Sequence, residues 1–233
     1  MRTVAVRGVH IRMRTGSSRE RWRVATYATK EPGTLDWIDR IVKPGDVFFD
    51  VGANIGQYGI YAALRNGSAT RVFCFEPEST NYAALNANIA LNALSSVVTS
   101  YPIAIADQAR LDVLHVHRAL AAGEALHQVG TAPSDGLWAH AQGTVTMSLD
   151  DLVFGYRLPC PTHIKIDVDG LEPQIIAGAA RLLGDERLES VLVEISGEEA
   201  AIRERFAENG FTVTQKQPSS PRATAFDVVF ERR

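Results

Sequence analysis

The stretch Val47–Gly56 reads VFFDVGANIG and decides the fold class. Residues 47–51 form an apolar run of strand length in which Asp50 is the polar exception, and such a run must be covered on both faces, as in a parallel sheet between helices. The glycine-bearing turn at 52–56 leads into a segment whose apolar residues recur at helical spacing. The pattern therefore predicts a buried strand, a tight turn and a helix.

The same alternation continues toward the C-terminus. Further strands are predicted at 71–75, 97–101, 111–116, 162–167, 191–195, 211–214 and 226–230. Helical periodicity separates most of them, but the last two follow each other directly. Strand–helix alternation with apolar strands is typical of a doubly wound α/β fold. We therefore expect a mostly parallel sheet in which the final pair adds one antiparallel edge strand.

One domain, residues 31–233, accounts for most of the chain. Residues 1–30 are expected to form an N-terminal appendage of short strands that turn at Gly8, and they hold seven arginines and one lysine against a single acid. Such a basic segment can attract an anionic substrate or a phosphate backbone, or it can be a solvated arm. Residues 118–143 lack a steady period and are expected to form a long excursion that covers the substrate.

Composition narrows the class of protein. The chain has 233 residues, 45% of them hydrophobic, with a net charge of −3, which suits neither a disordered chain nor a dedicated nucleic-acid binder. No run approaches the ~20 apolar residues that span a bilayer, and the arginine-rich start lacks the apolar core of a secretory signal. Two cysteines, Cys74 and Cys160, cannot form a disulfide framework, so a cytoplasmic location is expected.

A donor-binding site is predicted at the first turn and the second strand. Gly52 and Gly56 stand four apart, unlike the dinucleotide pattern GxGxxG, and small residues let a ligand approach the backbone and the helix amides. Asp50 can meet a cationic group, and Glu76, at the end of the second strand, can bind both hydroxyls of a ribose. A ribose together with a cation favours S-adenosyl-L-methionine over a dinucleotide, the alternative being an ordinary nucleotide-binding or packing turn. The residues expected to bind this cofactor are Asp50, Gly52, Ala53, Asn54, Gly56, Glu76 and Pro77.

A second polar cluster follows the strand at 162–167, in the phrase KIDVDG. Strand alternation puts Lys165 and Asp167 on one face, and Glu194 ends the neighbouring strand. Carboxylates beside a lysine can deprotonate a hydroxyl, orient it, or hold a divalent metal, although Asp169 and Glu172 can equally complement a helix N-terminus. We expect Asp167, Lys165 and Glu194 to be catalytic and expect no metal.

Histidines offer a further choice of general base. His115, His117, His127 and His140 lie in or beside the excursion, where a pKa near 6.5 would suit proton transfer. Each can equally be a surface or packing residue. Trp138 can stack on a sugar ring or plug a loop.

Taken together, these phrases resemble the FkbM family of methyltransferases. The resemblance rests on DVGANIG at 50–56, FCFEP at 73–77, IKIDVDG at 164–170, Val193-Glu194, KPGD at 43–46 and SLDDL at 148–152. It implies a Rossmann-like methyltransferase fold with a seven-stranded sheet and O-methylation of sugars or polyketide-type natural products. It also implies that Ala106 and Asp107 lie near the adenine, although the family commonly has a glycine before that acid. Asp169 stands where the family usually has glutamate.

The sequence thus predicts methyl transfer to a hydroxyl of a sugar or glycosylated natural product. The partner would be a small-molecule or glycan acceptor, and an anionic one would suit the basic N-terminal segment; no nucleic acid is expected. Two alternatives remain open: an RNA methyltransferase, because the core fold is shared and residues 1–30 are basic, and a non-catalytic S-adenosylmethionine-binding module.

Overall fold

The computed structural model describes residues 1–117, 121–125, 127–130, 138–168, 170–219 and 225–232, with only the backbone of His117 and Ala139. The strands are β1 (Arg2–Val6), β2 (Val9–Met13), β3 (Val47–Val51), β4 (Arg71–Phe75), β5 (Val98–Tyr101), β6 (Ala104–Ile105), β7 (Arg110–His117), β8 (Gln128–Val129), β9 (Trp138–Met147), β10 (His163–Ile166), β11 (Ser190–Ile195), β12 (Phe211–Pro218) and β13 (Phe226–Arg232). The helices are α1 (Ser18–Thr26), α2 (Pro32–Ile41), α3 (Gln57–Asn66), α4 (Ser79–Leu91), α5 (Glu172–Ala177), α6 (Ala180–Leu183) and α7 (Glu199–Glu208).

The central sheet has the order β12-β13-β11-β10-β3-β4-β5 in the described part of the chain. The pairs from β11 to β5 are parallel, whereas β13 runs antiparallel to both β11 and β12. The predicted fold class, a doubly wound and mostly parallel seven-stranded sheet, is confirmed.

The antiparallel strand lies one position in from the edge, not at the edge as expected. The reason is visible in the side chains: Val228, Val229 and Phe230 are all buried, as in an interior strand, whereas β12 alternates between more and less exposed residues. The last strand therefore returns between β11 and β12, and β12 forms the edge.

Helices cover both faces of this sheet. Phe48 belongs to the core that packs under α2, α3 and α4, whereas its neighbour Phe49 belongs to the core under α5, α6 and α7. Successive strand side chains point to opposite faces, so a strand that is buried on both is apolar at nearly every position, with Asp50 as the exception in β3. This explains the apolar run on which the fold prediction rested.

The N-terminal segment is part of the first core and not an appendage. Strands β1 and β2 form the expected hairpin, with positive φ at both Arg7 and Gly8, as a two-residue turn requires. Ile11 and Met13 of β2 are fully buried, and β2 packs against α3 and α4. Helix α1 begins with a capping box between Ser17 and Glu20.

Strands β6, β9, β7 and β8 form a second, four-stranded sheet within the described residues. Part of the predicted excursion 118–143 lies outside those residues, and the described part supplies β8 and the first half of β9. Within the described residues, no helix combines the length and apolar character needed to cross a membrane.

Candidate active site

A cavity of about 240 Å³ opens at the carboxyl ends of β3, β4 and β10. This edge is where open α/β sheets bind ligands, because the loops that follow parallel strands converge there. The predicted site residues that line the cavity are Gly52, Asn54, Glu76, Pro77, Asp167 and Glu194. The structure thus brings together two clusters that about 90 residues separate in the sequence, between Pro77 and Asp167.

The turn after β3 is held tightly against the end of β10. Gly52 has a φ of +76°, and a Cβ added there would lie 2.0 Å from the backbone oxygen of Asp167. The amides of Gly52 and Ala53 both donate to the Phe75 carbonyl at the end of β4. Glycine at position 52 is therefore required both by its φ and by the close approach of the neighbouring strand.

Glu76 is buried, lines the cavity and is held by backbone amides. One carboxylate oxygen accepts from the Asn54 amide at 2.8 Å and the other from the Glu78 amide at 2.9 Å. Burial raises the pKa of Glu76 to about 7. Each oxygen keeps a second lone pair. The Asn81 side chain also hydrogen-bonds to this carboxyl. Three donors therefore fix the side chain, which keeps capacity to accept from a further hydroxyl donor.

Asp50 does not lie where the sequence suggested. It is 1% exposed, its Oδ2 accepts from the Gly59 amide at 2.8 Å, and burial raises its pKa to about 6. The carboxyl joins β3 to α3 beneath the turn and does not line the cavity. Ala53 and Gly56 are also absent from the lining; Gly56 instead caps α3 with a φ of +87°.

Ala106 and Asp107 lie outside the cavity as well. Ala106 is buried, and Asp107 is largely exposed and pairs with Arg110 at 2.7 Å. The lining at this end comes from residues 103–105 instead. Ala106 and Asp107 therefore do not face the cavity in which the cofactor is expected.

Lys165 and Asp167 form an ion pair at the floor of the cavity, with 2.6 Å between Nζ and Oδ2. Lys165 is 1% exposed, whereas the Asp167 side chain is 26% exposed and faces the cavity. Burial alone would raise the pKa of Asp167, but the adjacent ammonium holds it well below its usual range. Asp167 is thus ionised at neutral pH, and the lysine stabilises that charge from behind.

Glu194 is the partner of this carboxylate. The charge of Asp167, together with burial, raises the pKa of Glu194 well above its usual range. Two adjacent carboxyl groups share one proton because both cannot ionise at short distance. At neutral pH this pair therefore consists of one carboxylate, Asp167, and one neutral carboxylic acid, Glu194.

Comparison with known proteins shows the family of this chain. The family described as Methyltransferase FkbM domain matches residues 50–213, which is more than half of the chain. The chain belongs to the FkbM family of methyltransferases. The family predicted from the sequence motifs is thereby confirmed.

Two curated relatives extend over most of this FkbM-family chain. It is 26% identical over 219 residues to the 31-O-demethyl-FK506 methyltransferase FkbM of Streptomyces tacrolimicus, covering 82% of each protein. It is 26% identical over 190 residues to the hexuronic acid methyltransferase AglP of Haloferax volcanii, covering 82% of this chain and 72% of the relative.

Solved structures share the fold. A methyltransferase FkbM from Methylobacillus flagellatus has a TM-score of 0.58 at 15% identity; the match covers 81% of this chain and spans 44% of that longer one. Magnesium protoporphyrin IX methyltransferase from Synechocystis, solved with bound S-adenosylmethionine, has a TM-score of 0.54 at 13% identity and covers 94% of this chain and 86% of that one. These likenesses confirm the Rossmann-like methyltransferase fold.

The histidines occupy different places in this FkbM-family fold. His127 lines the cavity, whereas a ring nitrogen of His115 lies 2.8 Å from the Gly130 carbonyl and His140 is exposed. The side chain of His117 and the whole of Asp169 lie outside the described residues. Glu172 starts α5, and one of its oxygens accepts from the Gly170 amide, which favours its structural interpretation.

Arg23, Lys30 and Asn81 also line the cavity, and sequence reasoning did not select them. The SSRE phrase at 17–20 is a capping box that predicts a helix containing Arg23, but it does not predict that this side chain faces the cavity. Among the described residues, no group of three or more His, Cys, Asp or Glu side chains could hold a metal ion.

Replacing Glu194 with glutamine should stabilise the protein more at pH 8 than at pH 5. The folded state raises the pKa of Glu194 and keeps its proton, whereas the unfolded chain releases it above about pH 4.3, so stability is lost as the pH rises. Glutamine cannot ionise and removes this loss. The variant should melt at a higher temperature than the wild type, and we expect this difference to be larger at pH 8 than at pH 5 by on the order of 2–4 °C. That is the shift that about 1 kcal/mol produces in a chain of this size.

We would measure this effect by thermal melts of the wild type, of Glu194→Gln and of the exposed control Glu186→Gln at both pH values. The control should show the same difference from wild type at pH 5 and pH 8. If Glu194→Gln behaves like the control, the two carboxyl groups are not coupled.

Proposed function

We propose that this chain is an S-adenosylmethionine-dependent O-methyltransferase acting on a hydroxyl of a sugar or glycosylated natural product. The observation that supports this most strongly is the juxtaposition, in one cavity, of the amide-held Glu76 carboxylate and the Asp167–Glu194 pair. The first suits a ribose diol, and the second suits an acceptor hydroxyl that must lose a proton.

The residues present fit the proposed methyl donor. Glu76 would hold the ribose hydroxyls, and the backbone of the turn at Gly52 and Asn54 would face the rest of the molecule. The neighbouring residues 103–105 supply an apolar wall for an adenine ring. Bound S-adenosylmethionine would supply the methyl group as part of a cationic sulfonium.

The acceptor hydroxyl would be handled by Asp167. Methylation of a hydroxyl oxygen releases its proton, and Asp167 is the ionised group that faces the cavity and can accept it. Lys165 keeps the carboxylate charged and fixes its orientation from the buried side. The negative charge of Asp167 raises the pKa of Glu194, so Glu194 keeps its proton and can donate a hydrogen bond to either Asp167 or the substrate.

The acceptor class is inferred from relatives and from charge. One curated relative is named for a 31-O-demethyl natural product and the other for hexuronic acid. Lys30 and Arg23 line the cavity of this chain, and cations there favour an acceptor or donor group that carries negative charge. A sugar acid or other anionic glycan fits both observations.

Replacing Glu76 with alanine should weaken binding of S-adenosylhomocysteine by about 10- to 100-fold, because the hydrogen bonding of this carboxyl to the ribose is lost and the Asn54 and Glu78 amides lose their acceptor. Isothermal titration calorimetry on the wild type, Glu76→Ala and the exposed control Glu186→Ala measures this effect. Wild-type affinity in Glu76→Ala would remove Glu76 from the donor site.

The reaction itself is tested with donor labelled in the methyl group. Incubation with free sugars, uronic acids, glycosylated polyketides and RNA, followed by mass spectrometry, identifies the product. We expect label on a sugar hydroxyl. Label on RNA would favour an RNA methyltransferase, and donor binding without transfer to any acceptor would favour a binding module.

A further inference from the structure

Arg23 of α1 is a buried arginine that faces the cavity. The residue is only 9% exposed and belongs to the cavity lining. Its Nε donates to the Gly123 carbonyl at 2.6 Å and its Nη1 to the Gln57 side-chain oxygen at 3.3 Å. Both acceptors are neutral, so these bonds orient the guanidinium without balancing its charge.

Within the described residues, no carboxylate pairs with Arg23. The acids closest to it along α1 and the facing loop have other partners: Glu20 accepts from the Ser17 amide and lies 3.6 Å from Arg14, and Glu124 pairs with Arg19 at 2.7 Å. Buried charges in proteins are ordinarily paired, because desolvation of a lone ion is costly. The missing negative charge is therefore expected to come from a ligand.

The other basic side chains at this cavity, both lysines, already have carboxylate partners. Lys30 pairs with Glu31, and Lys165 pairs with Asp167. Arg23 also contacts Gln57, the residue directly after the turn 52–56, and the Gln57 side chain donates back to the Arg23 carbonyl at 3.2 Å. The guanidinium is thus fixed next to the turn along which the donor's amino-acid part would lie when its ribose is at Glu76.

We propose that Arg23 binds the carboxylate of the donor's methionyl group, an inference that rests on the proposed function. Among the described residues, Nη2 of Arg23 has no hydrogen-bond partner, and Nη1 makes one long hydrogen bond. The guanidinium can therefore form the paired hydrogen bonds that suit a carboxylate. A carboxylate on the acceptor would have the same chemistry, and the experiment separates these two sources.

The test compares S-adenosylmethionine with decarboxylated S-adenosylmethionine, which lacks only the carboxylate. Calorimetry on Arg23→Met should show an affinity for S-adenosylmethionine that is lower by about 10- to 100-fold, equivalent to about 1.4–2.8 kcal/mol, and an affinity for the decarboxylated analogue that is nearly unchanged. Arg23→Lys keeps the charge and should recover part of the preference for the complete donor.

Arg21→Met is the matched control, because Arg21 lies on the same helix, is exposed, and donates to the carbonyls of Thr15 and Gly16, away from the cavity lining. It should bind both probes like the wild type. Equal losses for the two probes in Arg23→Met would show that Arg23 merely ties α1 to residue 123 and would overturn the proposal. Unchanged binding of both would overturn it too and would assign the guanidinium to an acceptor.

Binding of the two probes by the wild type distinguishes a failure of this inference from a failure of the proposed function. If the wild type binds neither probe, the proposed donor is wrong and both proposals fail. If it binds S-adenosylmethionine and Arg23→Met keeps the full preference over the decarboxylated analogue, only the role of Arg23 fails.

Discussion

Replacing Asp167 with asparagine is expected to slow methyl transfer by about 10²- to 10⁴-fold, the range typical of a lost general base. Asparagine keeps the shape and can still accept a hydrogen bond from Lys165, but it cannot take the proton of an acceptor hydroxyl. The effect should fall on kcat, and the affinity for S-adenosylhomocysteine should stay within a few-fold of wild type. Single-turnover rates with labelled donor, beside calorimetry, measure both.

The matched control is Asp185→Asn, which also removes a carboxylate from an ion pair, here with Arg187, but at a position that does not line the cavity. It should leave the rate of methyl transfer unchanged. A near-normal rate in Asp167→Asn would show that another group accepts the proton, and His127 would then be the first to examine because it lines the same cavity. A thermal melt of each variant shows whether the buried Lys165 tolerates the loss of its charged partner.

Replacing Gly52 with alanine is expected to destabilise the fold by about 2–5 kcal/mol and to abolish donor binding. The new Cβ would lie 2.0 Å from the Asp167 backbone oxygen, so β3 and β10 would have to separate at their carboxyl ends. That separation would displace both the turn and the catalytic carboxylate. Thermal melts and calorimetry with S-adenosylhomocysteine measure the two losses.

Gly45→Ala isolates the contribution of backbone conformation. Gly45 has a φ of +104°, but a Cβ there meets nothing within 4 Å. It should therefore show only the cost of a left-handed alanine, about 1 kcal/mol, and retain donor binding. If Gly52→Ala resembles this control, the close approach of Asp167 to the turn does not constrain the site.

The sequence was sufficient for the sheet and for the residues at the strand ends. Apolar strands such as Val47–Val51 must be buried on both faces, and the carboxyl ends of parallel strands meet at one edge. This reasoning predicts that Glu76, Asp167 and Glu194 lie at one edge of the sheet, and in the structure they line one cavity. Local rules sufficed because each of these positions depends on the end of its own strand.

Other features depend on contacts between segments far apart in sequence. Asp50 was misplaced because its position at a strand end does not reveal whether its side chain points to the cavity or to Gly59 of α3. The many arginines of residues 1–30 predict an exposed segment. Ile11 and Met13 are nevertheless buried, because they pack against residues about 50–80 positions away in the sequence. The sequence does not show that Arg23 is buried at the cavity without a carboxylate partner among the described residues, because that depends on the packing of α1 against residue 123.

The position of β13 has a consequence for how the protein is made. Synthesis delivers β11 and β12 first, but in the described fold β12 joins the sheet only through β13. Until residues 226–232 have left the ribosome, β11 presents an open, apolar edge beside Glu194, and such edges invite wrong pairing with other chains. Pairing with β13 covers that edge, and β12 then becomes the edge of the sheet in the described fold.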